Sequence, residues 1–300
     1  MKILIAGGNG FIGTYLFSQL AEKVSITSID YNQDIIDENF SKLDLTNIDQ
    51  VNHFVENCFH FDTLIFLVGL THNKGKSKNL HEFKKVNYQT LVNLLSALED
   101  SNKVPNKIVF ASTISVYGER YNQSSYDEDL EPIPFSPYAV TKLQAEQYLL
   151  NNFRNRSWIL RFAPVYSSDF LLNVNRRTKI KGGFYRVGAG DKKLSLCNIE
   201  NIGAAIEAII SRNIPTCIYN LSDPTEYTFN ELLMWRNAEK FIQIPQFAVK
   251  LFYYLGKFIN NTFIKENTVK LISDNIFPSE KIRSFVDLPA TLNDVQIDYD

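Results

Sequence analysis

The sequence predicts an α/β fold in which a doubly wound parallel sheet is followed by a smaller C-terminal α/β domain. Short apolar runs alternate with helical patterns through the first half, glycines at Gly7, Gly10 and Gly13 follow the first run, and the alternation loosens after about Phe162. The strand candidates are Lys2–Ala6, Ser25–Ile29, Thr63–Val68, Lys107–Ala111 and Trp158–Phe162. Each is a nearly continuous apolar run, as a strand buried on both faces of a parallel sheet requires. Helical patterns over Phe11–Glu22, Ile48–Asn57, Leu80–Leu98 and Ser136–Asn152 fall between them, and this β-α-β-α order implies crossovers on both faces of the sheet. Farther on, Ile199–Ile210 reads as a helix and Cys217–Leu221 as a strand returning to the main sheet. The expected division is therefore a Rossmann-like dinucleotide-binding domain over 1–165, to which 195–222 returns, and a smaller substrate domain over most of 166–300. A cleft between two such domains is a natural ligand site.

The 300 residues carry a formal net charge of −2. That leaves no global attraction to nucleic acid or to an anionic surface. Three cysteines and four histidines show no metal-ligand spacing, so no metal site is expected and a reducing, cytoplasmic location is. The first apolar run is too short for a signal peptide, and no run reaches the roughly 18 residues of a membrane span. The most membrane-like stretch is FAVKLFYYLGKFI, Phe247–Ile259, which is interrupted by Lys250 and Lys257. It reads as a helix over the substrate cleft or at a subunit contact, with a helix lying in a membrane interface as the alternative.

Gly7-x-x-Gly10-x-x-Gly13 follows a strand and opens a helix. The first glycine permits a tight turn, the second allows close approach of a diphosphate, and the third lets the helix pack on the sheet. The helix N-terminus adds free N–H groups and a positive dipole end. The next strand run leads to Asp30, whose carboxylate can accept hydrogen bonds from a ribose diol and would repel a 2′-phosphate. No basic residue follows closely, so NAD is favoured over NADP.

SPYAVTK, residues 136–142, places Tyr138 and Lys142 four apart on one helix face. An ordinary tyrosine is only about 0.1% phenolate at pH 7. A neighbouring ammonium, aided by a positive nicotinamide ring, favours the phenolate and fits Tyr138 for general acid–base work on a hydroxyl or carbonyl. Upstream, the strand ending at Ala111 is followed by hydroxyls at Ser112, Thr113 and Ser115. In a doubly wound sheet, strand C-termini line the ligand crevice.

Together these motifs resemble the extended short-chain dehydrogenase/reductase superfamily, in its NAD-dependent nucleotide-sugar epimerase/dehydratase branch, over nearly the whole chain. GGNGFIG resembles its cofactor loop, which brings in Phe11 and Ile12, and Asp30 with Tyr31 resembles its ribose-binding position. Asp44 and Leu45 resemble the pair that meets the adenine. LVGLT, with Leu67, Val68 and Gly69, resembles the strand end beside the cofactor, and Asn87 matches an asparagine in the helix that follows. STISVYG puts Ser112 beside the cofactor and Thr113 at the catalytic Ser/Thr position, and SPYAVTK supplies the Tyr138–Lys142 pair. The substrate contacts implied are Thr113, Tyr138 and Lys193.

Some positions depart from the branch. Dehydratases carry Asp-Glu after the catalytic threonine, whereas Ile114 and Ser115 stand here, so water elimination is not expected. Where many 4-epimerases hold the nucleotide diphosphate with an arginine near Leu194, the nearest cations are Lys192 and Lys193. These lack the bidentate fork of arginine. Arg176 and Arg177, with Lys179 and Lys181, form a basic cluster that either faces substrate phosphates or is solvated. The resemblance implies a UDP-sugar 4-epimerase working through a transient 4-keto sugar with retained NAD. It leaves open a 4-keto-sugar reductase, or a non-catalytic dinucleotide-binding protein. It also implies a nucleotide-diphosphate sugar as ligand, no nucleic acid, and a homodimer built on the helices Leu80–Leu98 and Ser136–Asn152.

Overall fold

Four of the five residues of Lys2–Ala6 (β1) are wholly buried, because this strand lies inside the sheet and is covered on both faces. The structure, a computed structural model, describes residues 1–32, 39–71, 79–118, 120, 121 and 123–296. After β1 come α1 (Phe11–Leu20), β2 (Ser25–Asp30), β3 (Phe40–Lys42), α2 (Ile48–Asn57), β4 (Thr63–Phe66), α3 (Leu80–Lys84), α4 (Thr90–Asp100), β5 (Lys107–Thr113), α5 (Pro137–Asn152) and β6 (Ser157–Phe162). The chain continues through β7 (Val165–Tyr166), α6 (Leu172–Thr178), β8 (Lys179–Ile180), β9 (Gly183–Val187), β10 (Lys193–Leu194), β11 (Cys197–Asn198), α7 (Ile199–Ser211) and β12 (Ile218–Leu221). It closes with β13 (Tyr227–Thr228), α8 (Phe229–Trp235), β14 (Phe241–Ile244), α9 (Gln246–Phe258), α10 (Thr262–Ile272) and α11 (Glu280–Arg283).

Seven strands form the main sheet in the order β12-β6-β5-β4-β1-β2-β3. β1 pairs in parallel with β2 on one side, Lys2 opposite Ser25, and with β4 on the other, Ile3 opposite Thr63. The winding therefore reverses between β1 and β4, and the C-terminal ends of these strands bound the crevice of a Rossmann-like sheet. The expected fold class is the observed one, and β12 does return to this sheet.

The element boundaries differ from expectation in instructive ways. The strand expected to stop at Ala111 continues through Ser112 and Thr113, which fixes both hydroxyls at the strand end. The helix expected over Leu80–Leu98 is interrupted by a π-helical turn, Lys85–Gln89. Such an extra-residue turn is characteristic of functional positions.

The chain divides into two compact units. The first comprises Met1–Thr113, Pro137–Leu160 and Ile206–Ile218, and the second Ile114–Ser136, Arg161–Ala205 and Tyr219–Asp300. Residues 114–136 thus belong to the second unit rather than the first. The reason is aromatic packing: Tyr126 stacks on Phe277 with ring centroids 5.1 Å apart, and Tyr117 lies 6.0 Å from the same ring.

The second unit is tied together by a buried carboxylate. Asp223 Oδ2 accepts hydrogen bonds from the Tyr166 and Tyr227 hydroxyls (2.7 and 2.9 Å), and Oδ1 from the Asn198 amide and the Asn201 side chain (2.6 and 2.8 Å). Asn201 also holds both backbone groups of Ala290, and Tyr227 accepts from the Leu292 amide. The C-terminal segment is thereby fastened to β12 and α7.

Burial raises the Asp223 carboxyl from 3.8 to about 6, against the opposing effect of its four donors. A raised folded-state value means that the fold prefers the neutral acid. Its contribution to stability is full below about 3.8 and is lost as pH rises through about 6. In urea titrations, wild type should lose stability relative to Asp223→Asn across that window and run parallel to it above. A gap that instead widens in favour of wild type as pH rises would show that the four donors outweigh burial.

Candidate active site

The Lys142 ammonium is 3% exposed and donates to Val68 O, just past β4, at 3.1 Å and to Ala111 O on β5 at 2.9 Å. A buried cation needs such partners. These carbonyls are open to it because the parallel ladder ends here: the last pair of β4 with β5 is Phe66 with Phe110. One turn before Lys142 on α5 is Tyr138, whose hydroxyl is hydrogen-bonded to the Thr113 side chain at the end of β5. One turn after it is Glu146, wholly buried, which accepts a hydrogen bond from the Ser112 hydroxyl. Tyr138, Lys142 and Glu146 occupy one face of α5 at four-residue spacing, as i, i+4 geometry dictates.

Burial raises the Tyr138 phenol above its ordinary value, and only the Thr113 bond works against this. Burial pushes Lys142 down to about 7, with the Glu146 charge opposing. Proximity of Tyr138 and Lys142 alone therefore does not produce the lowered phenol expected from the sequence. Desolvation dominates at Tyr138 and favours the neutral phenol.

The glycine turn can be tested for what it leaves room for. Gly7 has φ +87°, and a Cβ there would lie 3.0 Å from the Val68 amide nitrogen. A Cβ on Gly13 would lie 2.5 Å from Gly7 O. The positive φ and the backbone after β4 explain Gly7, and close packing of α1 on the glycine turn explains Gly13. Gly10 is different: a Cβ there would meet only Gly7 O, at 3.3 Å. It caps the N-terminus of α1, and no side-chain cap occupies that end. Space beside an uncapped helix start fits a diphosphate. Asp30 Oδ2 accepts from the Asn9 amide at 3.2 Å and Oδ1 from Asn32 at 2.9 Å, so the end of β2 is joined to the glycine turn. The residues present thus fit a dinucleotide.

Asn87 is fully buried within the π-helical turn. Its Oδ1 accepts from the Leu70 amide at 2.6 Å, and its Nδ2 donates to Leu70 O and Thr141 Oγ1, both at 3.2 Å. This amide holds the segment after β4 against α5. Gly69 is pinned between the two: a Cβ there would lie 3.3 Å from Lys142 Nζ. Leu67 follows the same strand end, its amide donating to Ala6 O at 2.8 Å. Phe11 and Ile12 form the first turn of α1, and Tyr31 is exposed beyond β2.

The remaining expected residues have the following surroundings. Asp44 Oδ1 accepts from the Thr46 amide and hydroxyl, and Leu45 is buried in the core, its carbonyl bonded to Asn93. Lys193 is in the second unit, half exposed and 3.8 Å from the Glu226 carboxylate. The cations that line a narrow cavity in that unit are Arg177 and Lys270, with Ile114, Ser195 and Asn275 also on its wall. At about 20 Å³ it holds no more than a water molecule. A larger cavity, about 340 Å³ between β3 and α2, contains none of the Tyr138 constellation.

Glu146 was not singled out in the sequence, although its four-residue step beyond Lys142 was there to be read. Among the described residues no group of three or more His, Cys, Asp or Glu could hold a metal ion, and no helix is long and apolar enough to cross a membrane.

Residues 3–222 match the model of the NAD dependent epimerase/dehydratase family. The N-acetyl-alpha-D-glucosaminyl-diphospho-ditrans,octacis-undecaprenol 4-epimerase of Escherichia coli O157:H7 is 28% identical over 246 residues, covering 77% of this chain and 70% of the relative. The UDP-glucuronic acid 4-epimerase of Bacillus cereus, crystallised with NAD, superposes with a TM-score of 0.72 at 20% identity over 98% of this chain and 93% of that one. The human epimerase family protein SDR39U1, crystallised with NADPH, reaches the same TM-score at 17% identity over 98% and 99% of the two chains. At these identities the structural matches establish the fold, and the family match establishes membership: the chain belongs to the NAD dependent epimerase/dehydratase family.

Proposed function

We propose that this protein is an NAD-dependent 4-epimerase acting on a sugar carried by a diphosphate, with a UDP-sugar as the favoured substrate. The observation that carries the reading is the Tyr138–Thr113 hydrogen bond at the end of β5, backed by the buried Lys142 ammonium. Asp30 favours NAD over NADP, since its carboxylate would repel a 2′-phosphate. The Escherichia coli relative is a 4-epimerase whose sugar is carried by a diphospho-polyprenol, so the diphosphate-linked sugar is the chemistry common to both.

NAD, held by the glycine turn and Asp30, would supply a hydride acceptor and donor for C4 of the sugar. The chain's own residues manage the proton. Tyr138, ionised in the loaded enzyme, takes the 4-hydroxyl proton and later gives it back. Thr113 hydrogen-bonds the same oxygen and orients it toward Tyr138. Lys142 supplies the positive charge that offsets the desolvation of the phenolate. Glu146 is a positioning residue that keeps Lys142 protonated through its charge. Lys193, exposed in the second unit, is the cation proposed to meet the diphosphate.

The test is the interconversion of UDP-sugar C4 epimers deuterated at C4. The expected result is turnover with no added reduced cofactor, deuterium retained in both epimers, and a loss of roughly a hundredfold or more in Tyr138→Phe. Stoichiometric consumption of a reduced nicotinamide with a 4-keto sugar would instead make the protein a reductase. A second variant isolates the role of Glu146. Glu146→Gln keeps an acceptor for the Ser112 hydroxyl but removes the charge that raises Lys142. The ammonium is then lost at lower pH, and the alkaline limb of kcat/KM should move to lower pH. An unshifted profile with a uniformly lower rate would reduce Glu146 to packing.

A further inference from the structure

The helix α9 has two apolar faces, and only one is covered. Val249, Tyr253 and Gly256 face inward, the first two packed with Tyr185, Val187 and Ile272 and the third closing onto Ile264. On the opposite side Phe247, Leu251, Tyr254, Leu255 and Phe258 recur at i, i+4, i+7, i+8 and i+11, the spacing of a single helical stripe. All five are exposed, Phe247 at 74% and Phe258 at 89%. Single exposed apolar residues are ordinary, whereas an aromatic-rich stripe along a whole helix marks an interaction surface.

Its charge points to the occupant. Lys250 and Lys257, seven residues apart, project along one flank between the two faces, and α9 contains no acidic residue. From 240 to 272 there are five lysines and one glutamate, in a chain whose net charge is −2. Two copies meeting on this stripe would bring lysines together with no carboxylate from α9 to pair them. A bilayer with anionic headgroups instead accepts both features, the aromatic stripe at the acyl boundary and the lysine heads among the phosphates. The helix has 13 residues, too few to span a bilayer, which takes about 20, but enough to lie in its interface.

We propose that α9 docks this protein on an anionic membrane surface. The proposal is independent of the epimerase reading, because vesicle binding is measured without turnover. The experiment is cosedimentation of the full chain with vesicles of phosphatidylcholine alone and of phosphatidylcholine mixed with phosphatidylglycerol, at low and high salt. Binding to the mixed vesicles, weakened by salt, is expected. The double variants Leu251→Ser/Phe258→Ser and Lys250→Glu/Lys257→Glu should each weaken it by roughly tenfold or more. Their side chains already face solvent, so circular dichroism and thermal melting should match wild type. No binding to either vesicle would overturn the proposal, as would equal binding by the variants. So would a concentration-dependent dimer in sedimentation equilibrium that the Leu251→Ser/Phe258→Ser variant dissolves, which would assign the stripe to a second copy.

Discussion

The buried ammonium of Lys142 is the constraint around which the first unit is organised. Removing a cation from water is costly unless its protons are satisfied, and here Val68 O and Ala111 O satisfy two of them. Both carbonyls lie where parallel strands run out at the crevice of the sheet. Meeting them draws α5 onto that edge, and Tyr138, one turn earlier, is delivered to Thr113 at the end of β5. The same requirement explains why Gly69 has no side chain and why Asn87 spends its amide on Leu70 and Thr141. Each keeps the segment after β4 close to the ammonium without crowding it.

Two electrostatic tendencies meet at this point. Desolvation disfavours both the phenolate of Tyr138 and the ammonium of Lys142. The phenolate becomes favourable beside a cation, and the ammonium beside the phenolate or the Glu146 carboxylate. Glu146 biases the balance from behind, reaching Ser112 on β5 while raising Lys142.

Most of the sheet was legible in the sequence because a strand buried on both faces leaves a continuous apolar run. KILIA, TLIF and the run through Phe110 could hardly be anything else. The glycine spacing and the Tyr138–Lys142 step were legible for the same reason, being local and periodic. What escaped was what depends on distant partners. The π-helical turn at Lys85–Gln89 leaves the apolar periodicity of 80–98 nearly intact, yet it determines where Asn87 points. Glu146 looks like any solvated helix glutamate until Ser112 is seen against it. In the second unit several strands are only two residues long, and their pattern is too short to read. There the order comes from Asp223, whose partners lie at Tyr166, Asn198, Asn201 and Tyr227. Phe247–Phe258 was read correctly as a helix, but only the structure separates its covered face from its bare one.

A dinucleotide served by the glycine turn and the Tyr138 site, and retained through the cycle, would remain with the protein on purification. The most direct measurement is to denature the purified protein and quantify the released nicotinamide dinucleotide by absorbance and by enzymatic assay. The account predicts close to one NAD per chain, without a 2′-phosphate. Protein that carries no dinucleotide and takes up neither NAD nor NADP when either is added would contradict it, and would leave Gly10 a packing residue like Gly7 and Gly13.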